Sequence, residues 1–205
     1  MPRRSPQQRQ RDPERTRKLI LEAAAAEFGA HGYAGARVSS IAARAGVNVQ
    51  LISYYFDGKE GLYQAMSEQW RERQRELSAP GTPMPEQLRR YAMEVMVNPD
   101  GPRLFAWSGL EYTGPSHDPD HAPRAQLLAE SVEQVRGLQE AGKLPAELDP
   151  ACLLVMLMAA AMATTTLPHV IEGLCGADPR SPEFVEHYAN QVALLAQHIG
   201  LREVD

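Results

Sequence analysis

Only two cysteines occur in this chain of 205 residues, Cys152 and Cys175, and neither lies at metal-site spacing. That excludes a disulfide framework and leaves reduced thiols that pack as small apolar groups. A membrane span is equally short of material. The one long apolar run, 151–167, falls below the ~20 residues that cross a bilayer and stops at Pro168, so it is expected to be a buried helix. The opening segment MPRRSPQQRQRDPERTRK has no apolar core region, and no secretory signal is expected. Nucleophile elbows, phosphate-cradling glycine loops and His-Glu zinc helices are all missing. No catalytic residue, cofactor or metal is therefore assigned, and an enzyme is the rival reading without a motif. Alternating strand patterns are absent as well.

What remains is an ordinary soluble composition, 43% hydrophobic and 23% charged, with an unusual distribution of charge. Residues 1–60 carry ten Lys/Arg against six Asp/Glu, a net +4, whereas the rest carry eleven against twenty, a net −9. A basic head on an acidic body suggests that the head alone meets a polyanion, the alternative being a solvated charged tail. A module that bound only protein or lipid would be expected to have a neutral or acidic head.

Nearly every segment carries a helical pattern. Three carry the same start signal, a capping Asp or Ser followed by Pro: Asp12-Pro13, Asp149-Pro150 and Ser181-Pro182. The first helix is expected to run from there to about Ala30, with Ile20, Ala24 and Phe28 on one face and Gly32 just past its end. Short helices follow over about 39–45 and 49–55, then a longer one over 59–77 with Leu62, Met66 and Trp70 on one side. After the break SAPGTPMP come helices near 86–97, 102–112, 122–141, 150–167 and 182–199. The fold class is all-α, with about nine helices.

The stretch RVSSIAARAGVNVQLISYYF carries the sharpest signal. Two helices meeting at a tight turn need a small residue at the crossing, a glycine at the reversal and an apolar anchor on the second helix. Ala42, Gly46 and Ile52 supply these in order, and Gly46 can take φ > 0 without steric cost. Such a helix–turn–helix unit presents its second helix outward, in DNA-binding versions to the major groove. With Ile52 and Phe56 inward, Val49, Gln50, Ser53 and Tyr54 face out. Gln50 can pair bidentately with adenine, Ser53 can bond either base type, and Val49 can touch a thymine methyl. Tyr55, Lys59, Arg37 and the helix start at Ser39 are placed for phosphates, which fix register rather than sequence.

The run from Ile20 to Leu62 resembles the DNA-binding domain of the TetR family of bacterial transcriptional regulators. The pieces that carry the resemblance are ILEAAAAEFGAHGY, VSSIAARAGV and YYFDGKEGL. Two positions depart from the family's pattern: Ser53 stands where Tyr or Phe is usual, and Arg37 where Ser or Thr is usual. The resemblance implies a basic arm over 1–12, a three-helix DNA-binding domain over 13–58, and an effector-binding and dimerisation domain over 59–205, joined by the helix 59–78. It implies bases for Val49, Gln50, Ser53 and Tyr54, and phosphates for Tyr55, Lys59 and 37–39. Arg3, Arg4, Arg9 and Arg11 are a candidate minor-groove arm or a disordered tail. The implied partners are a double-stranded palindromic operator, a second copy of the chain and a small apolar or amphipathic effector that releases a repressor, all in the cytoplasm.

In the body, Phe184, Tyr188, Val192, Leu195 and Ile199 form a stripe expected at the homodimer interface, beside a helix apolar nearly all round. Met93, Met96, Phe105, Trp107, Tyr112, Met158 and Met162 are the candidate lining of an effector pocket, with plain core packing as the alternative. HDPDH, 117–121, holds enough imidazole and carboxylate for a metal, but its Pro119 and Gly-Pro surroundings favour a surface turn.

Overall fold

The computed structural model describes residues 6–200, with side chains from Pro13 onward. Arg3 and Arg4 lie outside the described residues, and so do the side chains of Arg9 and Arg11. Eleven α-helices follow one another: α1 Pro6–Gly35, α2 Val38–Ala45, α3 Val49–Phe56, α4 Gly58–Leu77, α5 Met84–Val97, α6 Asp100–Leu110, α7 His121–Glu140, α8 Pro150–Ala161, α9 Ala163–Thr166, α10 Pro168–Cys175 and α11 Pro182–His198. One 3₁₀ turn, Pro115–His117, precedes α7, and the described residues contain no strand. None of these helices is long and apolar enough to cross a membrane.

Two cores organise the helices. The head core gathers Ile20, Ala24 and Phe28 of α1, Ile41 and Ala42 of α2, Ile52 and Phe56 of α3, and Leu62 and Tyr63 of α4. It also takes in Leu104 of α6, so the head is closed from below by the body. Phe28 is fully buried and sits in an aromatic group, edge-on to Tyr63 at 5.5 Å and stacked on Tyr33 at 6.3 Å. The body core joins Leu88 and Ala92 of α5, Val135 of α7, Leu153, Leu157 and Ala161 of α8, and Ala189, Val192 and Ala196 of α11. Its small residues let α5 and α11 pack along much of their length.

Arginines then tie α4 to the body. Arg73 forks onto the fully buried Glu94 of α5 through Nε at 2.9 Å and Nη2 at 2.8 Å. Arg71 engages Glu68 of its own helix and Asp120, just before α7. The HDPDH carboxylates are thereby occupied: Asp120 by Arg71 and Arg124, and Asp118 by Arg124 and the Asp120 amide.

Several expected boundaries change. α1 begins at Pro6, so Pro13 stands inside it rather than at its first turn. The caps at Asp149 and Ser181 form as anticipated, accepting from the Cys152 amide at 2.8 Å and the Phe184 amide at 3.2 Å. The expected single helix over 150–167 breaks at Met162, leaving α9, and Pro168 opens α10, which the sequence reading missed. The cause is local. Thr166 Oγ1 turns back onto the Met162 carbonyl at 3.1 Å, and a proline supplies no N–H to continue the ladder but suits a new first turn. The helix expected to be covered on both sides is also bare on one, with Val155 67% and Met156 57% exposed.

Gly32 is where α1 kinks, with φ 68° and ψ −178°. A Cβ there would meet the Glu111 carboxylate and the Trp107 ring. Gly137 in α7 has open space around it. Gly32→Ala should therefore lower stability by more than about 1–3 kcal/mol, the cost of a side chain in this glycine-only extended backbone alone. Gly137→Ala should raise it by about 0.5–1 kcal/mol through helix propensity. Thermal denaturation of the two variants checks the contrast.

Candidate nucleic-acid interface

α2 and α3 are each only eight residues long, too short to hold together alone, so their ends are fixed by specific bonds. α2 closes in a Schellman arrangement: Gly46 takes φ 67°, its amide donates to Ala43 at 3.2 Å, and Val47 donates to Ala42 at 3.0 Å. Asn48 then caps α3, its side-chain oxygen accepting from the Gln50 amide at 3.0 Å. The sequence reading passed over Asn48, although an Asn directly before an amphipathic run is a recognised cap signal. The far end of α3 turns through two consecutive left-handed residues, Asp57 at φ 57° and Gly58 at φ 92°. Gly61 lies so close behind this turn that a Cβ would run into the Phe56 carbonyl. The glycines of YYFDGKEGL thus set how α3 is mounted on α4.

Mounted this way, α3 buries Ile52 and Phe56 and exposes the opposite face. Tyr54 is 80% exposed and Val49 44%, with Gln50 and Ser53 exposed between them. Tyr55 is half-buried against the head core, edge-on to Tyr54 at 5.1 Å. Arg37 and Ser39 are exposed at the start of α2. The Arg37 amide donates to the buried Glu27 carboxylate at 3.1 Å, and no side chain caps α2. The first amides of α2 are therefore left without a side-chain cap, next to the exposed Arg37.

Lys59 is held from behind. Its ammonium stands over the Tyr33 ring at 4.8 Å and donates to the Ala34 carbonyl at 3.4 Å. Burial first, and then the charge of Glu60, push the Tyr33 phenol above its ordinary value. On the other side of the same turn, Glu111 at the end of α6 accepts from the Tyr33 amide at 2.9 Å and the Ala34 amide at 3.1 Å. The Gly32 kink frees those amides, and a carboxylate 77–78 residues away caps them.

The body holds a cavity of about 370 Å³ between α4, α5, α6, α7 and α8, walled mainly by apolar and aromatic side chains. Phe105, Met158 and Met162 line it as expected. The other expected lining residues lie elsewhere. Met93 packs against the body core, Trp107 reaches toward Gly32, and Met96 and Tyr112 are 39% and 50% exposed. Helical period alone had not told which face of each helix meets the void. Trp70, Tyr91 and Leu128 line it instead. Burial raises the Tyr91 phenol above its ordinary value, so it stays protonated and donates to the Gln74 carbonyl at 3.2 Å.

The expected dimer stripe is divided. Val192 is 4% exposed inside the body core, and Tyr188 and Ile199 pack against that core, Tyr188 also donating to the Ala160 carbonyl at 2.7 Å. Phe184 stacks on Tyr188 at 6.1 Å, and only Leu195, 53% exposed, faces out. The heptad-like spacing had selected the inward edge of α11.

Comparison with known proteins agrees with this geometry. A family model described as bacterial regulatory proteins, tetR family, matches residues 20–66, and one described as tetracyclin repressor-like, C-terminal domain, matches residues 84–193. The chain is 34% identical over 170 residues to the HTH-type transcriptional repressor SCO4008 of Streptomyces coelicolor, covering 81% of this chain and 86% of that one. It is 30% identical over 184 residues to the HTH-type transcriptional regulator RutR of Escherichia coli K12, covering 86% of each. The crystal structure of SCO4942 from Streptomyces coelicolor superposes with a TM-score of 0.73 at 27% identity, over 89% of this chain and 97% of that one.

Because a methyl at position 61 must displace the end of α3, Gly61→Ala should weaken DNA binding while the overall helix content persists. Fluorescence anisotropy with labelled duplex DNA, beside far-UV circular dichroism, measures the two together.

Proposed function

The chain belongs to the TetR family of bacterial regulatory proteins and is a DNA-binding transcriptional regulator, and from that premise we propose that it is a cytoplasmic repressor, two copies of which sit on a palindromic operator until a small molecule enters the body cavity. The observation that carries this reading is the outward face of α3, where four side chains able to read bases stand exposed on a braced helix. Val49, Gln50, Ser53 and Tyr54 meet base edges in the major groove. Arg37, Ser39 and Tyr55 meet phosphates, with the open amides at the start of α2 adding their dipole. Lys59 joins them through the donors that Ala34 leaves free, its ammonium already fixed over Tyr33.

One eight-residue helix reads too few bases for a specific site, so a second copy is needed about 34 Å along the duplex. The surface for it is the bare side of the body. Val155 and Met156 of α8, Leu174 of α10, and Leu194 and Leu195 of α11 are all more than two-fifths exposed, the kind of apolar surface a partner covers. The isologous face of a two-fold dimer covers it, and the Leu195 end of the expected stripe takes part.

The release step follows from neighbours in α6. Leu104 is buried in the head core, and the next residue, Phe105, lines the cavity. α4 spans the same distance, from Lys59 at the head to Trp70 at the cavity wall. A molecule that fits the cavity better in one setting of α4 and α6 than another shifts the spacing of the two heads by that difference in affinity.

Selection from random duplex DNA with the purified protein should recover a word with two-fold symmetry, and the absence of an enriched word would overturn the repressor reading. Gln50→Ala and Tyr54→Ala should each cut the preference for that word over random DNA by about tenfold or more, as expected for loss of a base contact worth 1–3 kcal/mol, with folding unchanged. Competition gel shifts measure this. Met156→Glu should turn the dimer into a monomer in sedimentation and abolish operator binding, whereas Leu110→Glu, at a still more exposed position on α6, should do neither.

A further inference from the structure

We propose that Glu111, at the end of α6, is a positioning residue for DNA binding: it sets the turn at Tyr33 and Ala34 on which Lys59 is mounted, and so holds that ammonium ready for a phosphate. The inference rests on the reading of Lys59 as a phosphate contact and adds the residue of the body that puts it in place.

Bonds in series carry the inference. The Gly32 kink interrupts the ladder of α1, so the amides of Tyr33 and Ala34 need acceptors from outside the helix. The Tyr33 amide donates to Glu111 Oε2 at 2.9 Å, and the Ala34 amide to Glu111 Oε1 at 3.1 Å. Amide bonds to a carboxylate are among the stronger kind, and a pair of them also fixes orientation. Lys59 is mounted on the same two residues. Its ammonium donates to the Ala34 carbonyl at 3.4 Å and stands 4.8 Å from the centre of the Tyr33 ring. That ring is itself held edge-on to Tyr63 at 4.9 Å. An ammonium has three donors, so one bond to Ala34 leaves two for a phosphate.

Glu111 is in turn delivered by the body. Its amide donates to the Trp107 carbonyl at 2.9 Å, which closes the last turn of α6, and the Trp107 ring lies against Gly32. The carboxylate therefore reaches the turn from a fixed helix end.

Preorganisation is what such a mounting supplies. A lysine loses more rotamer freedom than most side chains when it is stilled on a phosphate. One already stilled by Tyr33 and Ala34 has lost that freedom before DNA arrives, so its contact is tighter. A direct charge effect has the opposite sign. A carboxylate acting on DNA by its charge alone would repel phosphates, and its removal would tighten binding.

The test uses the full chain and a labelled random-sequence duplex, a sufficient probe because phosphate contacts carry no sequence information. Fluorescence anisotropy gives affinity across a range of salt, and far-UV circular dichroism follows helix content. Glu111→Ala should weaken binding by about 3- to 10-fold, the effect of one side chain that must be stilled on binding. In the Lys59→Ala protein the same change should alter affinity by less than about twofold, because no ammonium is left to place. Glu111→Gln keeps the length of the side chain and one acceptor oxygen. It should lose part of the affinity, and it gives the same cycle where the alanine variant does not keep its helix content. An equal loss with and without Lys59, as general damage to the head would produce, overturns the assignment. Unchanged binding in Glu111→Ala or tighter binding in Glu111→Gln overturns it as well. The phosphate reading is tested separately: Lys59→Ala should lower the slope of log affinity against log salt by about 0.9. An unchanged slope refutes the phosphate contact and the placing of it together, whereas a lowered slope beside an indifferent Glu111→Ala refutes Glu111 alone.

Discussion

The single turn of chain that follows Gly32 holds this molecule together. Gly32 adopts a backbone that breaks α1, and the amides of Tyr33 and Ala34 would be left without acceptors. The Glu111 carboxylate from the end of α6 takes both, Lys59 at the start of α4 takes the Ala34 carbonyl, and the Tyr33 ring closes on Phe28 and Tyr63. Head, connecting helix and body thus share one set of bonds. These bonds join the three parts to one another, so that they are not merely strung together along the chain.

Everything the head does depends on that setting. α3 is too short to persist by propensity, and its setting comes from its ends: the Schellman turn at Gly46, the Asn48 cap, and the Asp57-Gly58 reversal backed by Gly61. Each of these orients the same four exposed side chains. The body, by contrast, is held by small residues where α5 meets α11 and by arginine–carboxylate pairs where α4 meets α5 and α7, and it keeps an internal void. α4 and α6 thus meet close packing at one end and a cavity at the other. The two helices are continuous from one to the other.

The head was legible in the sequence because its requirements are local. A small residue, a glycine and an apolar anchor at fixed spacing admit few backbones, and Ala42, Gly46 and Ile52 take the positions those requirements demand. The capped starts at Asp149 and Ser181 are local too. The body was legible only as helices. Val192 and Leu195 share a helical stripe by spacing, yet one is core and the other faces outward, because the boundary between them is set by how far α5 wraps around α11. Phe105 and Trp107, two residues apart on α6, point to opposite sides of it, and only the packing of the neighbouring helices decides that Phe105 is the one at the cavity and Trp107 the one at Gly32.

The sequence by itself therefore determined the all-helical class, the turn that presents α3 and the split of charge between head and body, since each rests on contacts within a few residues or on composition alone. Tertiary structure decided which side chains wall the cavity, which apolar side chains of the body stay exposed and which distant carboxylate caps the broken end of α1. Those depend on where helices from far apart in the chain come to lie, and no periodicity within one helix carries that information.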